Sequence, residues 1–144
     1  ATAQLTASLQ MAMVWLAKGD NDAFAGNIDY ARRLHKEYHK NQDPTSQRLA
    51  LPPLDAIAAS ILAELLVRPQ LLDFDLSIPQ RSVMYSTLEQ RWPKVVAAVY
   101  DMVRRPLRRL CEIEKLDFDK LFPPPTGLEA VRQKRARRSS RQQQ

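Results

Sequence analysis

Leu51 to Pro69 reads LPPLDAIAASILAELLVRP, and no other stretch limits the fold of this chain so strongly. Between Leu54 and Val67 only Asp55, Ser60 and Glu64 are polar. Leu54, Ile57, Ala58, Ile61, Leu62, Leu65 and Leu66 recur at helical spacing and make a broad apolar stripe. Ala56, Ala59 and Ala63 add small groups on the other side, which lets neighbouring helices come close. A helix apolar nearly all round is expected to be buried on several sides. Pro52 and Pro53 suit its first turn, where a missing N–H costs nothing. Asp55 lies near the positive end of the helix dipole, and Pro69 disfavours helical geometry at Arg68. The run falls short of the roughly 20 residues that span a bilayer. It is therefore read as the centre of a helical core, with no membrane partner.

Other helices can be placed around it. Leu5, Leu9, Ala12, Met13 and Leu16 share one side of a helix from Thr2 to Lys18, which Gly19 stops. Asp20 or Asn21 can cap a second helix reaching about His39, with Phe24, Ile28, Ala31, Leu34 and Tyr38 inward. Two helices so tightly joined predict an antiparallel hairpin. A polar loop, Asn41 to Ala50, leads to the central stretch. After Pro69 the residues Leu72, Phe74, Leu76 and Ile78 alternate with Asp73, Asp75 and Ser77, a period of two that predicts an extended segment with one buried face. Ser77 is placed to cap a helix to Arg91, with Val83, Met84, Thr87 and Leu88 inside. Lys94 to Leu116 is a second long helical pattern, with Val95, Val96, Val99, Met102, Val103, Leu107, Leu110 and Ile113 on the core face. Pro106 within it predicts a kink or split near Met102. Pro123, Pro124 and Pro125 end the fold in a stiff turn.

The charge is unevenly spread. The chain carries 22 Lys and Arg against 16 Asp and Glu, a net +6. From Glu129 onward six basic residues face one acid, so sixteen basic and fifteen acidic residues are left for the body. The excess belongs to the C-terminal segment and does not mark the body as a nucleic-acid binder. That segment is poor in apolar residues and is expected to be a flexible tail. Cys111 is the only cysteine, so no intrachain disulfide forms. The first residues lack the basic, apolar and small-residue regions of a signal peptide. Both features lead to the expectation of a cytoplasmic protein.

Catalytic and metal chemistry find little support in these residues. His35 and His39 share a helix face, but a structural zinc site needs about four ligands, so no metal and no cofactor are expected. Gly19, Gly26 and Gly127 make no phosphate-cradling loop. Asp73 and Asp75, and again Asp117 and Asp119, form two acid pairs in a repeated Leu-Asp-Phe-Asp, with no nucleophile or base beside them. Arg104, Arg105, Arg108 and Arg109 cluster around Pro106. Glu112 is spaced to pair with Arg108 or Arg109, and Asp101 with Arg104 or Arg105.

Three segments bear on function: GDNDAF from Gly19 to Phe24, LALPPLDAIAASILAELL from Leu49 to Leu66, and DFDLSIP from Asp73 to Pro79. In these the chain resembles a helical family of bacterial immunity proteins from polymorphic toxin systems, where a Leu-rich and Ala-rich helix is similarly followed by a short acidic connector and a proline. The resemblance covers about half of the chain. It implies a non-enzymatic protein that binds and blocks a cognate toxin, and it carries over no residue-level site.

The expectation is an all-α compact helical bundle: an N-terminal hairpin, a buried central helix and a long kinked C-terminal helix. Residues 1–125 are read as one domain and 126–144 as a basic tail. The leading function is a non-catalytic protein-binding module, toxin-neutralising if the resemblance holds. Its candidate contacts are Asp73, Asp75, Asp117, Asp119, Arg104, Arg105, Arg108 and Arg109. The alternative is nucleic-acid association through Arg132, Lys134, Arg135, Arg137, Arg138 and Arg141. A small helical enzyme with a site assembled from distant residues is the third class. Oligomeric state and partner identity are open.

Overall fold

The computed structural model describes residues 2–41 and 51–143. The expected polar loop around Pro44 lies outside them, apart from Asn41. The described residues form seven α-helices and one 3-10 turn, with no strand among them.

The first helix, α1 (Thr2–Ala17), is the most enclosed. Its expected stripe is buried in full, and Ser8, Val14 and Ala17 are buried too. It touches α2 (Asn21–Lys40), α3 (Leu54–Val67) and α4 (Ile78–Arg91). Gly19 ends it at φ +87°, a conformation that costs a Cβ-free residue little. The Gly19 amide donates to Leu16 and the Asp20 amide to Trp15, a Schellman closure. Asp20 then accepts from the Ala23 amide at 2.9 Å and starts α2. One short corner thus ends a helix and caps the next, which fixes the expected hairpin. Phe24, Ile28 and Ala31 are its buried contribution from α2, and Leu34 and Tyr38 are half-buried.

In α3 the residues Ala58, Ile61, Leu62, Leu65 and Leu66 are buried, chiefly against α5 (Pro93–Ile113) and also against α1 and α4. The helix is not enclosed all round, however. Ala56 and Ser60 are exposed, and with Thr6, Pro52, Ile57 and Ile61 they line a shallow apolar groove. Among the described residues, small side chains here leave this face without a covering helix. Both ends of α3 are tied by side chains from elsewhere. His35 Nε2 donates to the Pro52 carbonyl at 2.8 Å, and Trp92 Nε1 to Asp55 at 2.8 Å. At the other end Arg81 donates to the Leu66 carbonyl at 3.1 Å, which satisfies a group the helix C-terminus leaves open, and to the Leu76 carbonyl of the connector at 3.0 Å.

The segment after α3 is only partly extended. Pro69–Leu72 is a 3-10 turn closed by Asp73 in the left-handed region at φ 61°, where Asp is among the better-tolerated residues. The alternation holds beyond it: Leu76 and Ile78 are buried, Phe74 is half-buried, and Asp75 and Ser77 are exposed. Ser77 and Gln80 form a capping box that starts α4. Met84, Tyr85 and Leu88 are buried on α4, whereas Val83, expected inside, is exposed. Pro93 occupies the first turn of α5, where it restarts helix after Trp92. Pro106 does not split α5, which runs on to Ile113; the lost bond is that of the Met102 carbonyl to an amide four residues on.

A polar column on α4 receives the irregular chain that follows. Ser82 Oγ donates to the Leu121 carbonyl at 2.7 Å, and the Tyr85 hydroxyl donates to the Pro123 carbonyl. Glu89 accepts from both the amide and the hydroxyl of Thr126 at 2.9 Å. The short helix α6 (Phe118–Leu121) adds Phe118, stacked on Phe122, whose ring meets Tyr85 edge-on. Burial pushes the Tyr85 phenol well above its usual range.

The segment read as a flexible tail is a helix, α7 (Leu128–Gln143), whose first half docks on α5. Leu128 is buried, and Arg132 and Arg135 reach back to Asp101 and Ala98. A partner within the body supplies the support that its composition lacks.

Candidate partner-binding surface

Helical phase divides the four arginines around Pro106 into two pairs. Arg104 and Arg108 lie on one flank of α5 and meet acids. Arg104 approaches Asp101 at 3.7 Å. Arg108 pairs with Asp119 at 3.3 Å and lies over the Phe118 ring at 4.5 Å. The expected pairing of Arg108 with Glu112 gives way to this one, because the turn into α6 brings Asp119 alongside. Arg105 and Arg109 lie on the outer face, exposed, with no carboxylate in ion-pair range among the described residues.

That outer face also carries the two residues whose placement departs most from the expected core stripe. Met102 is 64 % exposed and Ile113 78 %. Met102, Pro106, Arg109 and Ile113 follow at i, i+4, i+7 and i+11, one column of a helix, with Arg105 beside it. The column is roughly 16 Å long at 1.5 Å per residue. It combines two exposed apolar side chains, a proline that cannot donate, and two arginines. An apolar strip flanked by Arg is the composition enriched where proteins meet.

The acid pairs do not act together as one site. Asp117 accepts from the Lys120 amide at 3.4 Å and caps α6. Asp119 is neutralised by Arg108. Asp73 and Asp75 stand exposed on the α3–α4 connector. Arg81 lies within electrostatic reach of Asp75 and Glu114, yet burial dominates and pulls its pKa down. Among the described residues no three of His, Cys, Asp and Glu converge on one point. His35 and His39 meet edge-on at 4.6 Å. Cys111 is buried, and burial pushes its thiol pKa up, against the lowering that Arg108 exerts. A thiolate at that position is disfavoured.

The basic residues of the C-terminal segment also separate. Arg132 forms a bidentate pair with Asp101 at 2.8 and 3.1 Å. Arg135 lies 3.5 Å from the same carboxylate and donates to the Ala98 carbonyl at 2.7 Å. The Arg132 hydrogen bond, helped by the charges of Arg132, Arg104 and Arg135, holds the Asp101 carboxyl below the usual carboxylate range. Lys134 lines a groove of about 640 Å³ between α7, the start of α5 and Asp55 of α3. Arg137, Arg138 and Arg141 are exposed. No described helix is long and apolar enough to cross a membrane.

Sequence reasoning missed the outer column of α5 and the Asp101 anchor. The signal for the first was the placement of Met102 and Ile113 at the margin of the apolar stripe, well away from its centre at Val103 and Leu107. The signal for the second was an acid on α5 with more cations than acids in the segment ahead of it. Comparisons of the chain with protein-family models, with curated proteins and with solved structures returned no match.

Proposed function

We propose that the protein is a non-catalytic protein-binding module, and that its partner is a toxin it neutralises. The observation that carries the reading is the exposure of Met102 and Ile113 in one column with the exposed Arg109, and Arg105 beside it. Apolar side chains held outward on a firmly packed helix bind without an ordering cost to the backbone, which favours association. The arginines add charge that steers an acidic partner and fixes its register. The partner surface that fits is shallowly apolar with a carboxylate-rich rim. Arg108 and Asp119 neutralise one another on the other flank of α5, so they contribute little charge to the column. The identity of the partner as a toxin rests on the resemblance in Gly19–Phe24, Leu49–Leu66 and Asp73–Pro79.

The test is a rescue assay. Products encoded beside the gene are expressed singly to find one that arrests growth, and this chain is then co-expressed with it. Rescue is expected with the natural chain and lost with Met102→Asp combined with Ile113→Asp, and direct binding should weaken at least tenfold with Arg105→Glu plus Arg109→Glu. Both pairs are exposed, so circular dichroism should report unchanged helix. Rescue by both double variants would move the contact surface off α5. If no neighbouring product is both toxic and relieved, the toxin reading fails.

A further inference from the structure

The cations of α7 fall into two groups. Arg132 and Arg135 face α5 and share Asp101. Lys134, Arg137, Arg138 and Arg141 follow at i, i+3, i+4 and i+7 and therefore make one stripe along the helix, beside the docked face, with Lys134 also lining the groove toward Asp55. All four are exposed, and none lies in ion-pair range of a carboxylate among the described residues. We propose that this stripe binds the phosphate backbone of double-stranded nucleic acid. The inference is separate from the α5 column and does not depend on the partner of that column.

Charge density is the first argument. The stripe sets four cations along roughly 10 Å of helix. A duplex carries one negative charge per ~1.7 Å of axis, so about six phosphates fall within that length, enough for each of the four cations to meet one. With Arg132 and Arg135 tied to the body, the other four are left exposed and open to a ligand. A helix of ~10–12 Å diameter also fits the roughly 12 Å major groove of B-form DNA.

Other polyanions fit less well. A helix lying in a membrane interface needs an apolar face, yet Leu128 and Val131 sit at the docked end and Ala136 is the only apolar residue from Lys134 to Gln143. A protein interface draws its affinity from buried aromatic or large apolar anchors, and the stripe has none. Single strands are held by aromatic stacking, and α7 contains no aromatic residue.

The experiment is fluorescence anisotropy of the full chain with a random-sequence DNA duplex over a salt series. Four phosphate contacts at ~0.9 each give a log-affinity slope against log salt of roughly −3.6, or about a hundredfold loss between 50 and 200 mM salt. Lys134, Arg137, Arg138 and Arg141 all changed to Gln should abolish this slope. Arg105→Gln with Arg109→Gln should leave it unchanged. The slope of the natural chain is read without any variant, so a folding failure in the quadruple change does not decide the matter. A slope near −1, no binding at low salt, or equal binding by the quadruple variant would overturn the proposal. So would saturation of the stripe by phosphatidylserine vesicles or a polyglutamate peptide at salt where the duplex has dissociated.

Discussion

A single carboxylate determines where a whole helix sits. Asp101 meets Arg132 at hydrogen-bonding distance and has Arg135 and Arg104 within 3.5 and 3.7 Å. Its pKa is depressed in the folded chain. A carboxyl depressed on folding contributes stability that is fully present above its unfolded value, near pH 4, and is lost as pH falls through the folded value. Docking of α7 should therefore persist through mildly acidic pH and fail only below the ordinary carboxylate range. Asp101→Asn should reproduce that loss at neutral pH. The global cost should be small, because Arg132 is exposed to solvent, while circular dichroism at 222 nm falls by about what the docked first half of α7 contributes. An unchanged spectrum would show that Leu128 and Val131 hold the helix without the ion pair.

At the scale of elements, the sequence revealed periodicity and did not reveal coverage. The stripes of α1 and α3 were legible because one face is apolar and long. The corner at Gly19 and Asp20 and the capping box at Ser77 were legible because each uses a local, residue-specific geometry. The outer face of α5 was not legible, and Val95 shows why. Val95 shares a helical column with Met102 and Ile113, yet it is fully buried. The same column is core at one end and surface at the other, depending on which neighbours happen to reach it. The helix at α7 was hidden for a related reason, since its support comes from Asp101 and the Ala98 carbonyl, more than thirty residues away in sequence. Where burial is complete the periodic reading makes a firm prediction. Leu62 sits mid-stripe on α3 with no exposure, and Leu62→Ala should cost ~2–5 kcal/mol through lost transfer energy and the cavity left behind. A loss below about 1 kcal/mol in urea titration would be typical of a surface substitution and would contradict the packing of α3 against α5.

In the whole molecule, firmness declines from the N-terminal hairpin and the α3–α5 pair toward the last helix. The stretch from Leu121 to Thr126 is strapped to α4 by Ser82, Tyr85 and Glu89, so the body closes there. A chain ending at Pro125 should keep the bundle and the α5 column. From Ala136 to Arg141 α7 is exposed, and a helix segment of about eight residues is too short to persist alone in water. The consequence appears in amide hydrogen exchange. Amides of α1 and of the buried part of α5 should exchange only through global opening, those from Val131 to Arg135 through undocking of α7, and those after Arg135 almost as fast as an unfolded chain. Adding a DNA duplex should slow this last group most, because the ordering deferred during folding is completed on binding. Equal protection along the full length of α7 in the free protein would mean that the helix is held by more than its one tether.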